Sequence, residues 1–437
     1  MMWPTKKLGD CLVQFDRGIS WSRKDEGGTV AVLRIPNIEE GHINLDDLKH
    51  IDPKNGNGEL DKNDIVMVAS NGNPDLVGRS ALVTEDEKGM RFASFLIRLR
   101  IDNTKLLSQY AHLFLLTPTF KRELRRKIAT TSGIYNLKKD HIEKIKIPLP
   151  PIATQKQIVE RLDKIAEAQK LNDELIQKTD ELFQSLLHKE LNPAGLTYAP
   201  TKQHTNKLEY VGMSGSRSKT PADASAFVKT SADKRAMAGK KDWEIKKLGE
   251  CMIQFDRGIS WSRKDEGGAI AVLRIPNIEE GHINLNDLKH IDPKNGNGEL
   301  DKNDIVMVAS NGNPDLVGRS ALVAEKEKGM RFASFLVRLR LDDTKLLSHY
   351  AHLFLLTPTF KRELRRKIVT TSGIYNLRKE HVEKIKISLP PLETQKQIVA
   401  KLSAVQDYKK QLLGQKAKLK ELFDSALHKS MKNESEL

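Results

Sequence analysis

The chain has 437 residues, 38% hydrophobic and 5% aromatic, too long for one compact core and too apolar for a disordered polymer, so two or more folded domains are expected. No stretch approaches the roughly twenty apolar residues of a membrane span, and Met1-Met2-Trp3-Pro4-Thr5-Lys6-Lys7 lacks a signal-peptide core; a cytoplasmic protein with no membrane partner is expected. Lysine and arginine number 73 against 58 acids, a net charge of +15 that points first to a polyanion, and two cysteines are too few for a disulfide framework or a zinc site.

Self-similarity organises the chain. Lys6 to Val159 match Lys246 to Val399 at a constant offset of 240, with about nineteen of the 154 positions different. A period this long is a duplicated domain in which each copy closes its own core, and Cys11 and Cys251 are one position seen twice. Within one copy, Val30 to Ile35 and Asp64 to Ser70 are β-rich. Phe92 to Ile101 alternates with period two, setting Phe92, Ser94, Leu96, Arg98 and Arg100 against Ala93, Phe95, Ile97, Leu99 and Ile101. Turn chemistry separates these runs at Glu40-Gly41, Asn55-Gly56-Asn57-Gly58, Asn71-Gly72-Asn73-Pro74 and Lys88-Gly89. Helical spacing follows at Lys105 to Leu116 and Pro118 to Ile128. The expected fold class is α+β, each copy a mixed, largely antiparallel domain.

Several segments suit nucleic acid. In the second short helix Lys121, Arg122, Arg125 and Arg126 gather on one face while Phe120 and Leu124 pack inward, and the stripe recurs as Lys361, Arg362, Arg365 and Arg366; an ordinary solvated basic face is the bland alternative. The loop Gln14 to Asp25 offers Arg17, Ser20, Trp21, Arg23 and Lys24, repeated as Arg257, Ser260, Trp261, Arg263 and Lys264, where guanidinium donors stand beside a ring that could equally plug the core. Asn71, Asn73 and Arg79, with Asn311, Asn313 and Arg319, surround a turn; Asn can pair with adenine and Arg with guanine, yet Asn-Gly turns are mostly just turns. Ser132 and Tyr135, with Ser372 and Tyr375, belong to a polar loop after the basic helix that could meet a sugar-phosphate chain.

Beyond Val159 the identity collapses but helical spacing persists through Ile158, Leu162, Ile165, Ala168, Leu171, Leu175, Leu182 and Leu186, and through Ile398, Leu402, Val405, Leu412, Leu419, Leu422 and Ala426. Pro150-Pro151 and Pro390-Pro391 precede these helices, with Thr154 and Thr394 as candidate N-caps. About 35 residues span about 50 Å, too long for a small domain to cover, so each helix needs a partner; Gln169, Asn172 and Thr179 suit a helix-pair seam. The Pro, Gly, Ser and Lys-rich stretch after Asn192 reads as a flexible linker long enough to return the chain along the first helix. Antiparallel pairing of two like helices then implies a pseudo-twofold axis.

The order of parts resembles the specificity subunits of type I restriction-modification systems. The resemblance is carried by Thr131-Ser132-Gly133-Ile134-Tyr135-Asn136-Leu137, then Ile145 to Pro151, then Gln155-Lys156-Gln157-Ile158-Val159, all repeated from Thr371. Leu8 to Asp10, Leu33 to Ile38 and Val77 to Leu82 also look like the family. It implies target-recognition domains at 1–153 and 243–393, spacer helices at 154–190 and 394–432 and a linker at 191–242, the recognition domains being separated by a long antiparallel two-helix coiled coil. It further implies a subunit without catalysis, metal or cofactor of its own that binds double-stranded DNA, two methyltransferase subunits and restriction subunits. S-adenosylmethionine belongs to the methyltransferase, ATP and Mg to the restriction subunit. Family members usually carry two unlike recognition domains; here they are nearly the same, so a palindromic bipartite site is expected.

Two other readings remain. Pro74-Asp75 with Asp86-Glu87-Lys88 resembles a PD-(D/E)xK nuclease, but the second copy has Lys326-Glu327-Lys328, a cation in place of one ligand. Neither a P-loop nor a methyltransferase Asn-Pro-Pro-aromatic motif is present. The third reading is a basic structural protein indifferent to DNA sequence.

Overall fold

The computed structural model describes residues 3–21, 23–52, 58–128, 130–131, 133–191, 243–261, 263–292, 298–368, 370–371 and 373–432. The linker stretch at 192–242, the turn residues Asn55 to Asn57, Ser132 and Ser372 lie outside them. The chain divides into two compact units, Met1–Leu175 with Leu412–Leu437, and Ile176–Gln411.

In the first unit the strands are β1 (Thr5–Lys7), β2 (Leu12–Arg17), β3 (Glu26–Leu33), β4 (Lys49–Ile51), β5 (Ile65–Val68), β6 (Ser70–Asn71), β7 (Ser80–Leu82), β8 (Arg91–Phe92), β9 (Leu96–Ile101), β10 (Thr130–Thr131), β11 (Ile134–Asn136) and β12 (Lys146–Pro148). The central sheet has the order β2-β9-β5-β7; smaller sheets are β4-β3-β8, β10-β11-β6 and β1-β12. All pairings are antiparallel except β3 with β8. Every residue of β5, Ile65 to Val68, is buried because the sheet is covered on both faces, the reason that segment is continuously apolar. Ile65 and Met67 face a core shared with helices α1 (Ser108–Leu115) and α2 (Pro118–Lys127), while Val66 and Val68 face a second cluster with Leu33, Phe92 and Leu96.

The run from Phe92 to Ile101 is not one strand. Arg91–Phe92 pairs with β3, the chain turns through residues 93–95, and Leu96–Ile101 enters the central sheet. Ala93 N–H still reaches Leu33 O and Leu96 N–H reaches Ala93 O, so the turn passes the chain from one sheet to the next. A residue in that turn no longer follows strand alternation.

A short helix α3 (Lys139–Glu143) leads to α4 (Ile152–Leu191), 40 residues and about 60 Å long. Thr154 is therefore in the first turn of the helix and not its N-cap. Gln155 N–H makes the first helical bond, to Pro151 O, and its side-chain amide donates to Pro150 O, which ties the helix start to the preceding prolines.

The strands recur in the second unit 240 residues on, from Glu244–Lys247 to Lys386–Leu389, with helices α5 (Ser348–Leu355), α6 (Pro358–Lys367), α7 (Lys379–Glu383) and α8 (Leu392–Lys432). Gln395 repeats the Gln155 arrangement, so Thr394 is likewise helical.

Inside the first unit, the start of α4 packs antiparallel on the end of α8: Gln169 Nε2 donates to Leu419 O at 3.2 Å, Asn172 Nδ2 to Leu412 O at 3.1 Å, and Lys416 pairs with Asp173 at 2.9 Å. Inside the second unit, the end of α4 packs on the start of α8 through Lys409–Asp180 at 2.6 Å and Lys401–Glu190 at 2.8 Å. The buried and half-buried positions of α4 follow steps of three and four through Ile158, Leu162, Ile165, Gln169, Asn172, Ile176 and Thr179, so polar side chains occupy the seam. Leu171, Leu175, Leu182 and Leu422, which also fall on the helical spacing, are 43–54% exposed because that register turns them outward.

Candidate nucleic-acid interface

The basic helix α2 is set by its own ends. Thr117 Oγ1 accepts the Phe120 N–H at 3.2 Å and Pro118 supplies the first helical position. Phe120 and Leu124 are buried, and the Phe120 ring meets Phe114 edge to face with centroids 5.8 Å apart. The opposite face carries Lys121, Arg122, Arg125 and Arg126, all exposed. In the second unit Phe360 and Leu364 are buried in the same way beneath Lys361, Arg362, Arg365 and Arg366.

Arg79 joins this stripe. The turn from Asn71 to Arg79 folds over α2 at Gly78, whose φ is +91° and whose added Cβ would stand 2.2 Å from Leu124 Cδ2. Only glycine allows this approach. The result is a groove of about 520 Å³, floored by Val77, Gly78, Leu124 and Ile128 and walled by Arg79 and the four helix cations. Its counterpart of about 430 Å³ is lined by Arg319, Lys361, Arg362 and Arg365. Two acids temper the charge: Glu40 pairs with Lys121 at 3.2 Å and Asp75 with Arg125, as Glu280 does with Lys361 and Asp315 with Arg365. Among the described residues, Arg79, Arg122 and Arg126 have no carboxylate partner in the first unit.

The asparagines serve the turn. Asn71 Oδ1 accepts the Asn73 N–H at 2.8 Å and Asn73 Oδ1 the Asp75 N–H at 2.9 Å, with Asn311 and Asn313 repeating this. Each of these bonds occupies one of the two lone pairs of the amide oxygen and fixes the turn.

Beside the turn lies a polar edge. The segment expected as a loop from Gln14 is strand as far as Arg17, whose guanidinium donates to Ser70 Oγ and Ser94 O at 3.3 Å and to Leu137 O at 3.2 Å. Arg257 makes the equivalent contacts. Tyr135 stands opposite Asn71 in register and packs against the core, as Tyr375 does opposite Asn311. After Gly18, Ile19 N–H bonds Phe92 O, which stitches the next residues to the same edge. Ser20 and Lys24 are exposed and Trp21 is half-buried, with Ser260, Lys264 and Trp261 alike; Arg23 and Arg263 open the short turns Arg23–Asp25 and Arg263–Asp265.

Sequence reasoning missed Phe95. Its place in the period-two alternation set it with the apolar Ile97, Leu99 and Ile101, yet the residue is 55% exposed because the turn at 93–95 breaks the alternation. No periodicity signal marks it.

The nuclease pattern does not assemble. Asp75 is engaged by Arg125, and Glu87 is buried where it accepts from Thr84 N–H at 2.8 Å and Thr84 Oγ1 at 2.6 Å. Glu327 likewise accepts from Ala324 N–H. These carboxylates close a turn, and among the described residues no three His, Cys, Asp or Glu stand together to hold a metal.

Two stretches, residues 2–179 and 240–421, match the family described as the type I restriction modification DNA specificity domain. The chain belongs to this family. It is a DNA specificity subunit of a type I restriction-modification system, a non-catalytic part of the complex. The subunit is 24% identical over 435 residues, 96% of this chain and 86% of the relative, to the type I restriction enzyme StySPI specificity subunit of Salmonella potsdam. It is 24% identical over 442 residues, with the same coverage, to the type I restriction enzyme EcoKI specificity subunit of Escherichia coli (strain K12). Its fold is like that of a chain solved in a study of complex assembly and conformational transition of the type I R-M system, with a TM-score of 0.60 at 17% identity, covering 99% of this chain and 98% of the other. No described helix of the specificity subunit is long and apolar enough to cross a membrane.

Proposed function

We propose that the specificity subunit reads a bipartite DNA site whose two arms have the same sequence in inverted orientation. The observation that carries this is the repetition of the whole groove: Arg79, Lys121, Arg122 and Arg125 recur as Arg319, Lys361, Arg362 and Arg365 on the same helix and turn. Equal surfaces read equal sequences. Antiparallel pairing of two like helices, as expected from the sequence, favours inverted arms over direct repeats.

Residues 1–153 and 243–393 then act as recognition domains, and the helices at 154–190 and 394–432 set the spacer between arms. Phosphate contacts fall to the helix cations, including Arg126 and Arg366, and to Lys24 and Lys264. Arg79 and Arg319, with the Ser20–Trp21 and Tyr135 edges and their equivalents, face the bases; Arg17, Asn71, Asn73 and their repeats hold that edge in place. Exposed Leu171 and Leu422 on the helices suit docking of two methyltransferase subunits. Methyl transfer with S-adenosylmethionine, and ATP and Mg chemistry, belong to the methyltransferase and restriction partners.

Methylome sequencing of cells carrying this subunit with its methyltransferase tests the reading. Two identical inverted arms are expected; two unlike arms would overturn it.

A further inference from the structure

Phe95 occupies the turn between β8 and β9 and is 55% exposed, and Phe335 repeats the feature at 56%. The backbone of this residue has a structural part: Phe95 O accepts Ala69 N–H at 2.8 Å and Ser70 N–H at 3.3 Å, and Phe335 O accepts Ala309 and Ser310 N–H at the same distances. Those bonds need a carbonyl and no particular side chain. A lone exposed phenylalanine is ordinary on a protein surface, so its location has to decide.

The location is the polar edge. Arg17 donates to Ser94 O, next to Phe95, and to Ser70 Oγ, which itself donates to Asn136 Oδ1 at 2.5 Å. From Ser70 and Asn71 the chain runs directly into the turn whose Asp75 and Arg79 line the basic groove. A partly exposed phenylalanine on a fixed backbone is thus bonded through its carbonyl to Ala69 and Ser70, at the start of the segment that leads along the chain into the cationic groove. The residue as a whole is nearly half covered, which suits contact across a groove better than insertion between stacked bases.

We propose that Phe95 and Phe335 are specificity-determining residues, each making apolar contact with the C5-methyl group of a thymine in its half-site. The methyl is the one apolar feature that distinguishes a base pair in the major groove, and a phenyl ring is a suitable partner for it. This inference rests on the reading that each unit grips one half-site.

The test uses the full chain with its methyltransferase partner on three duplexes: the motif returned by methylome sequencing, the same motif with deoxyuridine for thymine in both arms, and a scrambled sequence. Deoxyuridine is expected to weaken wild-type binding about tenfold. The Phe95→Ala/Phe335→Ala variant is expected to lose about the same factor on the thymine duplex, to ignore the deoxyuridine exchange and to bind scrambled DNA as wild type does. Phe95→Leu/Phe335→Leu keeps an apolar partner and is expected to retain sensitivity to the methyl, which decides the matter should the alanine protein fail to fold. An equal deoxyuridine effect in wild type and variant, or none in either, overturns the assignment. Failure of the wild type to prefer its motif over the scramble would instead sink the half-site reading, and this inference with it.

Discussion

The side-chain Oε1 of Gln155, at the base of α4, accepts the main-chain N–H of Leu107, the N-cap residue of α1, at 2.8 Å. The Nε2 of the same glutamine donates to Pro150 O at 2.9 Å and Lys105 O at 3.3 Å, and the residue is fully buried. One amide therefore fastens the long helix to the recognition fold. Gln395 repeats all three contacts with Leu347, Pro390 and Lys345.

Gln155→Ala leaves the Leu107 N–H buried without an acceptor, a loss of about 1–3 kcal/mol. Gln155→Glu is expected to be worse although it is nearly isosteric. A carboxylate keeps the acceptor for Leu107 but replaces the one NH2 that serves both bonds with an oxygen facing the carbonyls of Pro150 and Lys105, inside the protein. Urea denaturation of the three proteins checks the order, and a Glu variant as stable as wild type would refute it.

Gly78→Ala is expected to damage groove and fold together. The position has φ +91°, and its Cβ would press on Leu124 of the basic helix. A destabilisation of about 1–3 kcal/mol is expected, with weaker binding to specific and scrambled DNA alike, because the turn bearing Arg79 must lift from α2. Adding Leu124→Ala relieves the clash but not the backbone strain, so it should restore DNA binding only in part. Melting curves and anisotropy titrations of both variants report the two effects separately.

The duplication, the two short helices, the basic stripe and the long helices are legible in the sequence because each rests on local periodicity or direct identity. What escaped depends on long-range placement. Arg98 and Arg100 read only as alternating strand residues, yet Arg98 pairs with Asp16 at 2.6 Å and Arg100 with Asp64 at 2.7 Å, and Asp64 lies buried between the two. Partners 36 and 82 residues away leave no mark on local pattern. On the long helix the apolar spacing alone runs through exposed Leu171 and Leu182 as well, and it is the polar set Gln169, Asn172 and Thr179 that marks the seam in the sequence, because the partner helix buries that stripe. Phe95 was misplaced because a chain that changes sheets loses its alternation.

Acid should unfold both units through their buried histidines. His112 lies against the central sheet with Nε2 3.3 Å from Ser80 O, and burial lowers its pKa to about 4; His352 is lowered to about 4 in the same way against Ser320. Above the ordinary histidine value of about 6.5 both folded and unfolded chains are neutral there, so no stability depends on pH. As pH falls from about 6.5 towards about 4, the unfolded chain binds the proton first and stability drops, by about 3 kcal/mol per histidine at the lower end. His112→Gln removes the titration while offering an amide to Ser80 O. Its denaturation midpoint is expected to fall less steeply over that pH window than the wild-type midpoint, and parallel curves would count against the histidine.

Salt dependence separates the groove cations from one another. Arg122 and Arg126 project from α2 without a carboxylate partner among the described residues of the first unit, whereas Arg125 is held by Asp75. A phosphate meeting Arg122 or Arg126 releases a condensed counterion, and each such contact contributes about 0.9 to the slope of log affinity against log salt. Arg122→Gln with Arg126→Gln is therefore expected to weaken binding to motif and scrambled duplexes by the same factor and to flatten the slope by about 2 if both contact DNA. Arg125→Gln removes one cation but frees Asp75 in the groove, so it is expected to weaken binding as strongly as loss of an unpaired arginine, and Arg125→Gln with Asp75→Asn is expected to recover part of that loss. Anisotropy titrations between low and physiological salt measure all of these, and an unchanged slope in the Arg122 and Arg126 variant removes α2 from the phosphate-binding surface.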